Sequence, residues 1–255
     1  AVVVFIVIVV LLQKFNGAAA AAAHNPEATA AANRFLFERT GFTHAALPGA
    51  PLEQQVAHSN QLAAQYAKTT SMDLELVRTV EGYTQYHTQN MGMSGSAYSI
   101  AAAWYVTFQG NPPTVFHLAE KDMNSASRRM KTGYKRDFTP LYSDELPIND
   151  PDLAARFKAW GNSAEWLNHI LSVPEIKQNL LSHAEVDLAI FPDKISFSDP
   201  TQANLRSAMG GTSGMMAAAQ NPMAIMETQI AYHDNMGHLL TTIARTMEVA
   251  PRPPV

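Results

Sequence analysis

Val186-Asp-Leu-Ala-Ile-Phe-Pro-Asp-Lys-Ile-Ser-Phe197 decides how this chain is read. Val186, Leu188 and Ile190 alternate with other residues, Phe191-Pro-Asp-Lys194 forms a turn signal, and Ile195 and Phe197 resume the alternation. A period of two sends successive side chains to opposite faces, so the stretch predicts an antiparallel hairpin with one buried face. Upstream the period becomes helical. Ala164, Trp166, Leu167, Ile170 and Leu171 keep helical spacing. Ser172-Val-Pro-Glu175 has the form of a capping box opening a short helix that buries Ile176, Leu180 and Leu181. Asp150-Pro151-Asp152 predicts a cap, a proline at the first helical position and one short helical turn to about Phe157.

Further upstream the chain predicts more strands. Thr114 to Leu118 is one; Tyr98 to Phe108 is another, with Trp104, Val106 and Phe108 on one face. Asn111-Pro112-Pro113 separates them, and residues 120–137 read as a charged loop. Gly92 to Gly95 predicts a turn, and Leu74, Leu76 and Val80 alternate as a half-buried strand beginning at Met72. Two helices precede it. Leu52 to Lys68 carries a thin apolar stripe of Leu52, Val56, Leu62 and Tyr66; an earlier helix starts at Asn25-Pro26-Glu27, carries Phe35 to Phe37 and ends before Gly41. Downstream of the hairpin, residues 207–220 are rich in Gly, Ser and Ala and read as flexible. A last amphipathic helix begins at Asn221-Pro222, and a Pro-rich tail ends the chain.

Ala1 to Leu12 has no polar residue. A spanning helix needs ~20 mostly apolar residues, since every backbone polar group in lipid must be satisfied internally. Phe15 and Ala18 to Ala23 extend the run toward that length if Lys14 snorkels to the headgroups. The expectation is a single-span anchor over residues 1–23, incomplete at its N-terminus and held in membrane lipid. The predicted organisation continues with a helical linker or arm (24–70), an α+β domain (71–206), and the flexible segment, helix and tail (207–255). The expected fold class is therefore α+β: an N-terminal transmembrane helix, then a soluble domain with an antiparallel sheet and flanking helices.

The order of Asp150-Pro-Asp-Leu-Ala-Ala-Arg-Phe157, Leu171-Ser-Val-Pro-Glu175, Leu180-Leu181 and the hairpin from Val186 to Phe197 resembles a widespread, largely uncharacterised group of bacterial membrane-anchored proteins. These have one membrane helix and an α+β soluble domain. The resemblance is clearest over residues 138–200. It implies a tethered domain at the bacterial inner membrane and brings no catalytic residues with it.

Composition narrows the chemistry. A net charge of −4 implies no global attraction to nucleic acid, and the absence of Cys excludes disulfides and thiolate chemistry. There is no phosphate loop, dinucleotide fingerprint or His-Glu-x-x-His, so no cofactor is expected. His233 and His238 stand five apart, which turns ~140° around a helix and shares no face. Ser94 and Ser213 lie in glycine-flanked turns that lack the Gly-x-Ser-x-Gly pattern.

Two groups suggest contacts instead. Met223, Met226, Ile230, Leu239, Leu240 and Ile243 approximate one apolar face of the last helix, a candidate partner-binding surface. Arg128, Arg129, Lys131, Lys135 and Arg136 form a basic cluster, a candidate contact for anionic lipid. The expected role is a non-catalytic accessory or scaffold subunit that docks onto other subunits of a membrane complex. A metal- or ligand-binding module using the Met/His-rich C-terminal third, or a membrane-tethered hydrolase, stays open beside it.

Overall fold

The computed structural model describes residues 26–69, 71–94, 97–107, 112–123, 139–183, 186–198 and 222–249. Along the chain these form helix α1 (Pro26–Thr40), strand β1 (Thr43–His44), α2 (Leu52–Thr69), β2 (Ser71–Val80), β3 (Tyr83–Ser94), β4 (Ala97–Thr107) and β5 (Phe116–Glu120). Then come β6 (Glu145–Leu146), α3 (Pro151–Arg156), β7 (Phe157–Gly161), α4 (Ala164–Leu171), α5 (Pro174–Ser182), β8 (Asp187–Ile190), β9 (Lys194–Ser198) and α6 (Pro222–Val249). The strands follow the order β1-β2-β3-β4-β9-β8-β5-β7-β6. The class is α+β, with a large antiparallel sheet and flanking helices. Among the described residues no helix is long and apolar enough to cross a membrane. The anchor expected over residues 1–23 lies outside them.

Local chemistry explains most of these elements. Four helices begin at a proline, whose missing N–H would be unsatisfied in the first turn anyway and whose φ is already helical. Asp150 caps α3, its carboxylate accepting from the N–H groups of Asp152 and Leu153. Lys177 donates to Asp150 at 2.6 Å and to Asp152 at 2.9 Å, which holds the Asp150 carboxyl below its ordinary value. Ser163 caps α4 by accepting from Trp166 N–H. The β2–β3 hairpin turns on Glu81 and Gly82, both with positive φ (52° and 85°), the twist that suits a two-residue hairpin and that glycine adopts most cheaply.

Two compact units arise, each assembled from separated segments. The first draws on residues within 1–79, 86–102 and 204–234. In it β1 pairs with β2, Thr43 opposite Val77 and His44 opposite Leu76. Gln55 of α2 accepts from His44 N–H at 2.8 Å and donates to the Leu47 and Ala50 carbonyls, so one amide shapes the whole turn between β1 and α2. Leu36, Phe37, Phe42, Val56, Leu74, Leu76 and Ile230 supply its buried apolar surface.

The second unit draws on 80–85, 103–203 and 235–255. Here β8 and β9 form the predicted hairpin, Leu188 opposite Phe197 and Ile190 opposite Ile195, closed by Phe191 N–H donating to the Lys194 carbonyl at 2.8 Å. Central β5 pairs with β8 on one side and β7 on the other. Phe116 faces Gly161 across that ladder; a Cβ on Gly161 would lie 2.8 Å from Phe116 Cβ and closer still to the Val115 carbonyl oxygen. Trp104, Phe116, Leu118, Phe157, Leu167, Ile176 and Phe197 are buried around these strands.

The structure departs from the sequence reading in several places. Gly92 to Ser94 belong to β3 rather than to a turn. The short helix ends at Arg156 with Phe157 as its C-cap, as expected, but Phe157 also begins β7, a strand the sequence reading lacks. Ser172 makes no capping box: Val173 is the N-cap of α5 without a side-chain bond, and the Ser172 hydroxyl donates back to the His169 carbonyl at 2.7 Å. Proline at the first position of α5 makes the box dispensable, and Ser172 serves the end of α4 instead. Leu181 is only half-buried. The loop around 124–138, the segment 207–220 and the tail lie outside the described residues.

Candidate functional site

The first unit concentrates the chemistry-bearing side chains. On β3 the inward positions His87 and Gln89 are polar, and β2 turns Arg78 inward beside the apolar Leu74 and Leu76. Arg78 donates to the Thr40 carbonyl at 3.0 Å, to Asp234 Oδ1 at 3.1 Å and to the His233 carbonyl at 3.1 Å. Its guanidinium lies 4.5 Å over the ring of Phe42. This one side chain thus serves the C-terminal end of α1 and fixes a turn of α6. Burial lowers the Arg78 pKa, and the Asp234 carboxylate opposes that. His233 packs against Phe42 and His87. Burial above all holds His233 well below the ordinary imidazole range, with smaller contributions from neighbouring positive charge.

A second buried histidine stands at the edge strand. His44 Nε2 lies 2.8 Å from Ser59 Oγ, and the Ser59 hydroxyl also reaches the Gln55 carbonyl at 3.2 Å. Phe37 and His58 pack on the same imidazole. Burial first, and His58 second, bring the His44 pKa down to about 4, against the bond from Gln55. A serine beside an imidazole is the pairing of nucleophilic catalysis. Here His44 is 1% exposed and Ser59 0%, so neither reacting atom meets a substrate as folded. The pair ties β1 to α2.

The second unit binds its polar side chains more tightly. His117 Nδ1 accepts from Leu141 N–H at 3.1 Å, so Nε2 carries the proton that reaches Asp187 Oδ1 at 2.7 Å. Ser198 donates to the other oxygen of Asp187. The acid therefore sits between imidazole and hydroxyl, an order that leaves the serine unactivated. Arg156 forks onto Glu120 at 2.6–3.1 Å and donates to the carbonyls of Leu181 and His183, collecting β5 and the end of α5 around the first residue of β7.

The residues singled out from sequence are not brought into one site. Ile230, Leu239, Leu240 and Ile243 are buried by the chain itself, at 8%, 1%, 0% and 0% exposure, so their apolar surface is spent inside rather than presented to a partner. Helical periodicity marks an apolar face but does not say what covers it. Met223 and Met226 lie in the first turns of α6, and their side chains are outside what the structure describes. Arg128, Arg129, Lys131, Lys135 and Arg136 also lie outside the described residues. Among the described residues no group of three or more His, Asp and Glu is placed to hold a metal ion. The buried roles of Arg78, His87 and His233 carried no sequence signal beyond their residue types, because their partners lie far away along the chain, and the nearer pairing of His44 with Ser59, 15 residues on, follows no recognised motif. Comparison with protein-family models, curated proteins and solved structures finds no match for this chain.

Proposed function

We propose that this chain is a membrane-anchored accessory or scaffold subunit, non-catalytic, that docks onto a larger membrane protein complex. One observation carries the proposal. The side chains best suited to chemistry are engaged in holding the fold: His117 with Asp187, Arg156 with Glu120, and His44 with Ser59. A domain that commits these histidines and this Arg–carboxylate pair to internal bonding acts through its surface. Further support comes from the apolar run Ala1 to Leu12, which suits a lipid-embedded anchor, and from Met223 and Met226 at the start of α6 as adaptable contact residues.

The test is extraction from native membranes. Alkaline carbonate should leave the chain in the membrane pellet, and gentle detergent should bring it out with a larger complex. Crosslinking mass spectrometry then reads Lys121, Lys158 and Lys194 for recurrent links to one set of partner subunits. Release by carbonate would remove the anchor, and migration alone without crosslinks would remove the scaffold role.

A further inference from the structure

The inward face of β3 gives the first unit a property independent of the scaffold role. His87 and His233 are 2% and 1% exposed and meet edge to face, ring centroids 5.3 Å apart and planes at 87°. Phe42 contacts both the His233 ring, at 5.8 Å, and the Arg78 guanidinium. Arg78 is fixed in turn to the His233 carbonyl, so a permanent cation is anchored to the very residue that bears one of the imidazoles.

We propose that the His87–His233 pair is an acid-responsive switch: a proton on either ring places a second cation beside Arg78 in a water-excluded interior and loosens residues 230–234 from residues 78–79 and 86–89. Among the described residues the groups around the pair include Arg78 from β2, His87 from β3, Asp234 and Tyr232 from α6, the Thr40 carbonyl at the end of α1 and the Phe42 ring just after it. Among the described residues Asp234 is the acid bonded to Arg78. It is committed to Arg78, its side chain is 58% exposed, and one carboxylate balances one cation. A protonated ring adds charge among side chains that are 2% and 1% exposed, where desolvation makes charge expensive.

The direction of the response follows from burial. The His233 ring is held neutral well below the ordinary imidazole range, and His44 in the same unit is held to about 4. Below pH ~6.5 the unfolded chain binds protons that these folded rings refuse, so stability present at neutral pH is lost progressively as the pH falls.

The molecule supplies its own internal control. Trp104, Trp160 and Trp166 all belong to the second unit, so their emission monitors that unit separately. Hydrogen exchange on the full chain, corrected for intrinsic rates, is followed from pH 7.5 to 4. Protection at 78–79, 86–89 and 230–234 should fall below pH ~6 by about ten-fold per pH unit for each ring that takes up a proton on opening, so about a hundred-fold when both do. Protection at 116–120, 157–161 and 187–198, and tryptophan emission, should hold over the same range. His87→Gln with His233→Gln should diminish the response in the first set, leaving the part that His44 contributes nearer pH 4. Imidazole proton resonances of the unmodified chain give a second reading, since the two rings should take up protons only as that protection is lost. Simultaneous loss in both units, an undiminished response in the double variant, or uptake at ~6.5 with protection intact would each overturn the switch.

Discussion

In the second unit Trp104, Phe116, Leu118, Phe157, Leu167 and Ile195 fill the interior, whereas in the first Asn33, Gln55, Arg78, His87, Gln89 and His233 are buried instead. Among the described residues the buried polar side chains of the first unit outnumber its buried apolar ones, and the second unit reverses that balance. The difference is one of tolerance. An apolar interior is held by area and close packing, at roughly 25 cal/mol per Å² removed from water, with little dependence on solution conditions near neutrality. A polar interior depends on each bond being made. Neither polar atom of the Asn33 amide, nor Gln89 Oε1, has a hydrogen-bond partner among the described residues. A buried polar group left so costs about 1–3 kcal/mol.

The largest effect should come where the second unit departs from its own rule. Arg156→Leu leaves Glu120, 7% exposed, without its cation, and about 3 kcal/mol should disappear from urea unfolding followed by tryptophan emission. Gly161→Ala tests the close packing of the same unit. With backbone and Phe116 in the way, it should cost about 1–3 kcal/mol, and a neutral outcome would mean the β5–β7 ladder is looser than drawn. The first unit should answer an apolar substitution in the opposite direction. Asn33→Leu removes an amide that makes no bond, and thermal unfolding should rise by the equivalent of about 1 kcal/mol; a fall would show that the amide holds water. Smallest is Tyr83→Phe. The Tyr83 hydroxyl donates to Glu248, and burial first, then this acid, pushes its pKa up to about 12. Losing the bond should cost under about 1 kcal/mol, and the alkaline rise in tyrosinate absorbance should lose its latest component.

The same contrast explains how much could be read beforehand. Where the interior is apolar, the pattern was legible: Val186, Leu188, Ile190, Ile195 and Phe197 are all buried at the alternate positions that predicted them. Helix starts at Pro26, Pro151 and Pro222 were legible too, because proline states its constraint locally. β3 escaped notice because its buried face carries Gln85, His87 and Gln89, so alternation of apolar with polar residues is invisible there. β7 escaped because Phe157-Lys-Ala-Trp-Gly161 starts directly at the end of α3 without a turn signal. The buried chemistry was least legible. Arg78 finds Asp234 across 156 positions and His117 finds Asp187 across 70, distances at which residue type alone assigns no partner.

One edge of the sheet sets how the molecule behaves in a crowd. β6 pairs only Glu145 and Leu146 with β7, Gly161 N–H is taken by the Asp144 carbonyl, and Pro147 follows at once. A proline offers no N–H to a newcomer, and two residues are too few to template a neighbour. Even at the high local concentrations of a crowded surface, copies of this chain gain little by stacking strands edge to edge at β6. Fibrous self-association from that end of the sheet is discouraged by the backbone itself, and any partner arriving there has to be recognised through side chains.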